Sequence, residues 1–91
     1  MTTIEGTHLK TINATTGETY IIEYNSAWRV DISNNTDGSI LISANGIFSE
    51  NSSAANYLEL PEGYNYNNLA VLDALYIKSN GTGKIMIVRC R

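Results

Sequence analysis

His8 is the only histidine of this 91-residue chain and Cys90 its only cysteine, and these two counts decide most of the chemistry open to it. Nucleophilic catalysis needs a Ser or Cys beside a positioned base, and His8 lies in a weakly patterned stretch where nothing in the sequence anchors it. A zinc site needs about four Cys or His ligands, or about three with an open position. Calcium needs converging carboxylates, and the stretch from Asp31 to Asp37 is the one candidate. No Glu closes it at the required spacing, so a solvated turn is the better reading. Gly81-Thr82-Gly83-Lys84 is similar to a piece of a phosphate loop, but such a loop runs from a strand into a helix N-terminus, and here a β-rich run follows. The chain is therefore expected to be no enzyme, with no catalytic residue, no metal ligand set and no cofactor.

Recognition is a better prospect. Tyr57, Tyr64, Asn65, Tyr66 and Asn67 form the densest aromatic and amide group, flanked by Asn56 and Asn68, and are the candidate binding surface. A tyrosine ring covers apolar area while its hydroxyl and the neighbouring amides supply hydrogen bonds, which suits sugar-binding and protein-binding surfaces alike. The competing reading is a turn whose tyrosines lean on the edge of the fold. Asn-x-Ser/Thr triplets begin at Asn13, Asn34, Asn51 and Asn80. With eleven asparagines and no secretory signal, chance accounts for them.

Charge narrows the partners. A formal net charge of −3 with only six Lys plus Arg leaves no basic footprint for a phosphate backbone, so nucleic acid is not expected. No apolar run approaches the ~20 residues that span a bilayer, and the start Met-Thr-Thr-Ile-Glu-Gly lacks the pattern of a secretory signal. No membrane partner is expected, and synthesis in a cytoplasm is. Cys90 has no partner for an internal disulfide and reads as a small buried hydrophobe.

These residues must be positioned by strands. Runs rich in Ile, Val, Tyr and Thr alternate with period two and recur every 8–15 residues or so, and no window carries an apolar stripe at helical spacing. The expected fold is all-β: a small antiparallel β-sandwich, jelly-roll or Ig-like, of about seven or eight strands. Residues 1–6 read as an N-terminal arm and 7–91 as a single domain, since a chain this short wraps only one core.

Thr7–Asn13 alternates weakly. In Glu18–Asn25, Tyr20, Ile22 and Tyr24 share one face while Thr19, Ile21 and Glu23 share the other. In Ala27–Ser33, Trp28, Val30 and Ile32 face the core, away from Arg29 and Asp31. Asn34–Gly38 reads as a loop returning the chain into Ser39–Ala44, where Ile40 and Ile42 face inward. Asn45-Gly46 is a second turn, Ser49–Asn56 a loop, Tyr57–Leu60 a short strand and Pro61–Asn68 a turn region. Leu69–Leu72 fits either a helical turn or an extended approach. Ala74–Ser79 and Lys84–Cys90 read as a hairpin whose glycines, like Gly38, take up positive φ. The last run carries Ile85 and Ile87 on one face and Met86 and Val88 on the other, as a central strand or a subunit contact would.

The order of elements resembles the small β-sandwich proteins of tailed-bacteriophage virions, the capsid-decoration and head-fibre type. The stretches that carry the likeness are Gly17-Glu18-Thr19-Tyr20-Ile21-Ile22, Tyr57-Leu58-Glu59-Leu60-Pro61-Glu62-Gly63, and Ala74-Leu75-Tyr76-Ile77-Lys78-Ser79 through Gly81-Thr82-Gly83-Lys84-Ile85-Met86-Ile87, about half the chain. The resemblance implies a non-enzymatic structural component of the virion, decorating the capsid, with the shell and other copies of itself as partners, often as a homotrimer. Strands apolar on both faces fit a subunit that completes its burial by assembly. The alternative is a small carbohydrate-binding or adhesive module that stacks sugars on Trp28 or on the Tyr57–Tyr66 region.

Overall fold

The computed structural model describes residues 2–48 and 57–89, so Ser49–Asn56 and Cys90 lie outside the described residues. The described part is all-β: β1 (Thr2–Glu5), β2 (Leu9–Ala14), β3 (Thr19–Glu23), β4 (Trp28–Thr36), β5 (Ile40–Ser43), β6 (Tyr57–Leu60), β7 (Asn65–Val71), β8 (Ala74–Ser79) and β9 (Gly83–Arg89). One sheet has the order β1-β3-β8-β5-β6 and the other β2-β9-β4-β7. The antiparallel pairs are nested: β2 with β9, β3 with β8, β4 with β7 and β5 with β6. A long antiparallel ribbon rolled around a core gives this order, so the sandwich is a jelly roll and not Ig-like.

The core follows from alternation. Val30 and Ile32 of β4 and Ile40 and Ile42 of β5, which belong to different sheets, are all buried in one apolar cluster. Eight isoleucines, at 12, 22, 32, 40, 42, 77, 85 and 87, belong to this core. A β-branched side chain is stiff at χ1 and packs well on a pleated surface, so each gains about 1.5–3 kcal/mol of burial at small entropic cost.

Several expectations are revised by the structure. The arm at residues 1–6 is mostly strand: β1 pairs in parallel with β3. Asn34–Thr36 continue β4 and do not form a loop, with Asn34 and Thr36 buried on the same inward face as Ile32. The Tyr- and Asn-rich region turns only at 61–64, and Asn65–Val71 is a strand, which also settles Leu69–Val71 as extended. The connections β4–β5 and β8–β9 are arches between sheets, not hairpins within one. Gly83, at φ 145°, does take a backbone that only glycine adopts easily, whereas Gly38 and Gly81 do not. Trp28 shares the inward face of β4, but as its first residue it sits at the rim, half-buried against the core.

Candidate functional site

Three surfaces could carry function. The first surrounds Trp28, at the end of the sandwich where β4 begins. The Arg89 guanidinium stacks on the indole, its carbon 3.1 Å from the ring centroid. Tyr24 and His8 pack beside it at centroid distances of 5.0 and 5.8 Å. The indole N–H donates to Ser26 Oγ. An open hollow of about 770 Å³ lies alongside, lined by Trp28, Arg29, Asn68 and Leu72 among others. The ring's stacking partner is thus already supplied by the protein, and its only polar atom is already bonded.

Tyr24 in this cluster is buried, and its hydroxyl finds no hydrogen-bond partner among the described residues. Burial pushes its pKa up to about 12. A buried hydroxyl left unbonded is a cost of about 1–3 kcal/mol, so Tyr24→Phe should raise the melting temperature by the equivalent of about 1 kcal/mol. The pH dependence has a definite sign. The native state holds the Tyr24 proton more tightly than the unfolded chain, whose value is 10.0, so stability is fully present below pH 10 and lost between pH 10 and about 12. In Tyr24→Phe that part of the alkaline loss should vanish. A mutant melting below wild type across the pH range would contradict the assignment.

The second surface contains the tyrosines singled out above, and the structure divides them. Tyr57 and Tyr66 line one cleft of about 260 Å³ at the open edge between β6 and β7, floored by Ile42, Leu69, Val71 and Leu75. Tyr57 also packs against Phe48, ring centroids 6.2 Å apart. Tyr64 stands 63% exposed on the β6–β7 turn, outside that cleft. Asn65 lies opposite Ser33, and Tyr66 opposite Ile32 on the inward face. Between the pairs Val30–Leu69 and Ile32–Tyr66 the register shifts, leaving Asn67 and Asn68 against Asp31 in a β-bulge. Asn68 has φ 61°, its N–H donates to Asp31 Oδ1 at 2.8 Å, and its carbonyl accepts from Arg29 Nη1 at 3.3 Å. Asp31 and Arg29 therefore build the bulge. Asp37 accepts instead from the Thr82 N–H, so the two carboxylates of the calcium candidate serve different turns.

The third surface is the outer face of β2-β9-β4-β7. Leu9 and Val88 are direct cross-strand partners, and Met86 lies two residues along β9 on the same face. They are 60%, 41% and 36% exposed respectively, although β9 is an interior strand of its sheet. Their neighbours on this face are Thr11, Asp31, Ser33 and Lys84, so the surface is an apolar patch with a polar surround that carries charges of both signs. The both-sided apolar pattern of residues 84–90 signals Met86 and Val88 in advance. Leu9 escapes such a reading because its own strand alternates weakly and only register shows that it joins them. The opposite outer face differs. There Ile21 is half-buried opposite Tyr76, whose ring sits so close to Gly46 that an added Cβ would lie 2.8 Å from it. The segment after β5 thus covers part of that face with the chain's own residues.

Compared with family models, with curated proteins and with solved structures, the chain matches none.

Proposed function

We propose that this chain is a non-enzymatic structural subunit that completes its burial by self-association, most simply as a trimer, and that it serves as a capsid-decorating component of a tailed-bacteriophage virion. The observation that carries this reading is the contiguous Leu9–Val88–Met86 patch on an interior strand. Apolar groups grouped in this way on a sheet face mark interaction sites far more often than single exposed hydrophobics do. Asp31 and Lys84 beside the patch can remain at a solvated rim while Leu9, Val88 and Met86 are covered by a neighbouring copy. The jelly roll is compatible with capsid subunits but also with lectins, so the fold alone does not choose.

The experiment is sedimentation of the wild type beside Val88→Lys at micromolar concentration. Wild type should have the mass of about three copies of the 10.0 kDa chain, and Val88→Lys should fall to one folded copy that still melts cooperatively, at a temperature lowered by the stabilisation that assembly supplies. A single-chain mass for the wild type would defeat the proposal. Co-purification with phage heads is the further test of the virion role. The carbohydrate-binding alternative rests on Tyr57 and Tyr66, which do share a cleft, and no longer on Trp28. Saturable glycan binding that is lost in Tyr66→Ala, by a monomeric wild type, would promote it.

A further inference from the structure

β1 stands outside the nested pairing that β2 to β9 complete among themselves. Among the described residues it is bonded into the sheet only through β3, in parallel, with Thr2 beside Tyr20, Thr3 beside Ile21, Ile4 beside Ile22 and Glu5 beside Glu23. Parallel ladders are slightly weaker per residue than antiparallel ones. Only Ile4 turns toward the core, where it is half-buried, and the other three residues are exposed. Glu5 and Glu23 place like charges on neighbouring positions of one face, which opposes the pairing. The link to β2 is only Gly6-Thr7-His8, and it is crowded: a Cβ at Gly6 would lie 2.2 Å from the buried Tyr24 ring. A weakly held strand on a short link is the arrangement that favours exchange between copies.

We propose that β1 is an exchangeable strand whose residues 2–5 can take the place beside β3 of a neighbouring copy. The exchanged contact needs nothing new. It reproduces the ladder just described, including the Gly6 N–H to Glu23 carbonyl bond of 2.7 Å and the Thr2 Oγ1 to Glu18 Oε1 bond of 3.2 Å. Its net cost is that of bringing two copies together and of re-routing Thr7 and His8, whose link ends at a His8 carbonyl that accepts from the Arg89 N–H at 2.7 Å. This inference rests on the assembly reading only in requiring that copies meet. It assigns the partner of the β3 edge as a second copy of this chain, through a surface separate from the Leu9–Val88–Met86 patch.

The test uses full-length chains in a Cys90→Ser background, which removes the competing thiol. One chain carries Thr3→Cys and the other Ile21→Cys, positions that are Cα partners in the ladder and within disulfide reach. The two are mixed in denaturant, refolded together and oxidised. The expected result is a mixed disulfide between the two different chains. It should appear as a shift from single-chain to double-chain mass on a non-reducing denaturing gel, be identified by the linked peptides, and exceed both same-chain products. Thr3→Cys mixed with Glu59→Cys, on the opposite edge strand of the same sheet, should not give it. A mixed product no more abundant than in that control overturns exchange even if sedimentation shows an assembled particle. A single-chain mass with no mixed product overturns the assembly reading as well.

Discussion

Replacing Asn34 with alanine is expected to lower the stability of the protein by about 3–5 kcal/mol, a large fraction of the usual ~5–15 kcal/mol of a small domain. Asn34 is fully buried. Its amide nitrogen donates to the carbonyls of Gly38 and Leu60 at 2.9 and 3.0 Å, and its amide oxygen accepts from the Thr36 N–H and Thr36 Oγ1 at 3.1 and 2.7 Å. Two carbonyls on one side and two donors on the other leave only one orientation of the amide. Its backbone adds bonds to Tyr64 and Gly63, at 3.0 and 2.9 Å. The side chain therefore ties the β4–β5 turn to the end of β6, and the backbone of the same residue holds the turn that carries Tyr64. Alanine would leave the Leu60 carbonyl and the Thr36 N–H without these partners, each a loss of about 1–3 kcal/mol, while the Thr36 hydroxyl keeps its bond to Gly38. Urea unfolding of the mutant measures the loss. Asn34→Asp separates size from hydrogen bonding: a carboxylate facing two carbonyls should be at least as damaging at neutral pH, and acidification should recover part of the loss by restoring one donor. A change under about 1 kcal/mol in Asn34→Ala would mean that the network holds little.

Asn34 also shows where sequence reading stops. Trp28, Val30, Ile32, Asn34 and Thr36 keep a strict inward alternation, so the strand's continuation is visible in the parity. Polarity hides it, because an asparagine on the inner face is tolerable only if partners exist, and Leu60 is 26 positions away. The same applies to β7. Its first four residues are polar and exposed, as befits an edge strand with a bulge, and local composition reads them as a turn. Trp28 fails differently: alternation gives its face correctly, but not that the first residue of a strand meets the rim instead of the centre.

The sandwich itself was legible because period-two alternation is a local property. Whether a turn joins strands of one sheet or arches between two is not, since both need tight, glycine-bearing connections. The candidate tyrosines read as one group along the sequence, but the fold divides them: Tyr57 and Tyr66 line one cleft while Tyr64 stands exposed on the turn between their strands. The Leu9–Val88–Met86 patch is the converse, half visible in β9's pattern and completed only by register.

Gly81→Ala should cost about 3 kcal/mol or more, and comparing it with Gly17→Ala shows why. The chain passes between the sheets at residues 37–39 and again at 80–82, and the two arches lie backbone against backbone. A Cβ at Gly81 would sit 2.3 Å from the Gly38 nitrogen and 2.7 Å from Asp37 Oδ1. No flexible side-chain tip can yield there, because the nearest atom is main chain. Moving it strains the bonds that lock the arches: Asp37 N–H to Thr82 O at 3.1 Å, Thr82 N–H to Asp37 Oδ1 at 2.7 Å, and Asn80 N–H to Ser39 O at 2.9 Å. Gly81 takes no left-handed φ, so its expected loss is collision alone. Gly17 is the opposite case, with φ +86° and no atom within 4 Å of an added Cβ, so alanine there meets only backbone strain of about 1–2 kcal/mol. Chemical denaturation of both mutants should therefore rank Gly81→Ala well below Gly17→Ala in stability. Gly38→Ala should resemble the former, since its Cβ would lie 2.8 Å from the Asn80 carbonyl oxygen. Equal losses at 17 and 81 would mean that the arches can part freely, and that the sheets are held together by their isoleucines without help from this end.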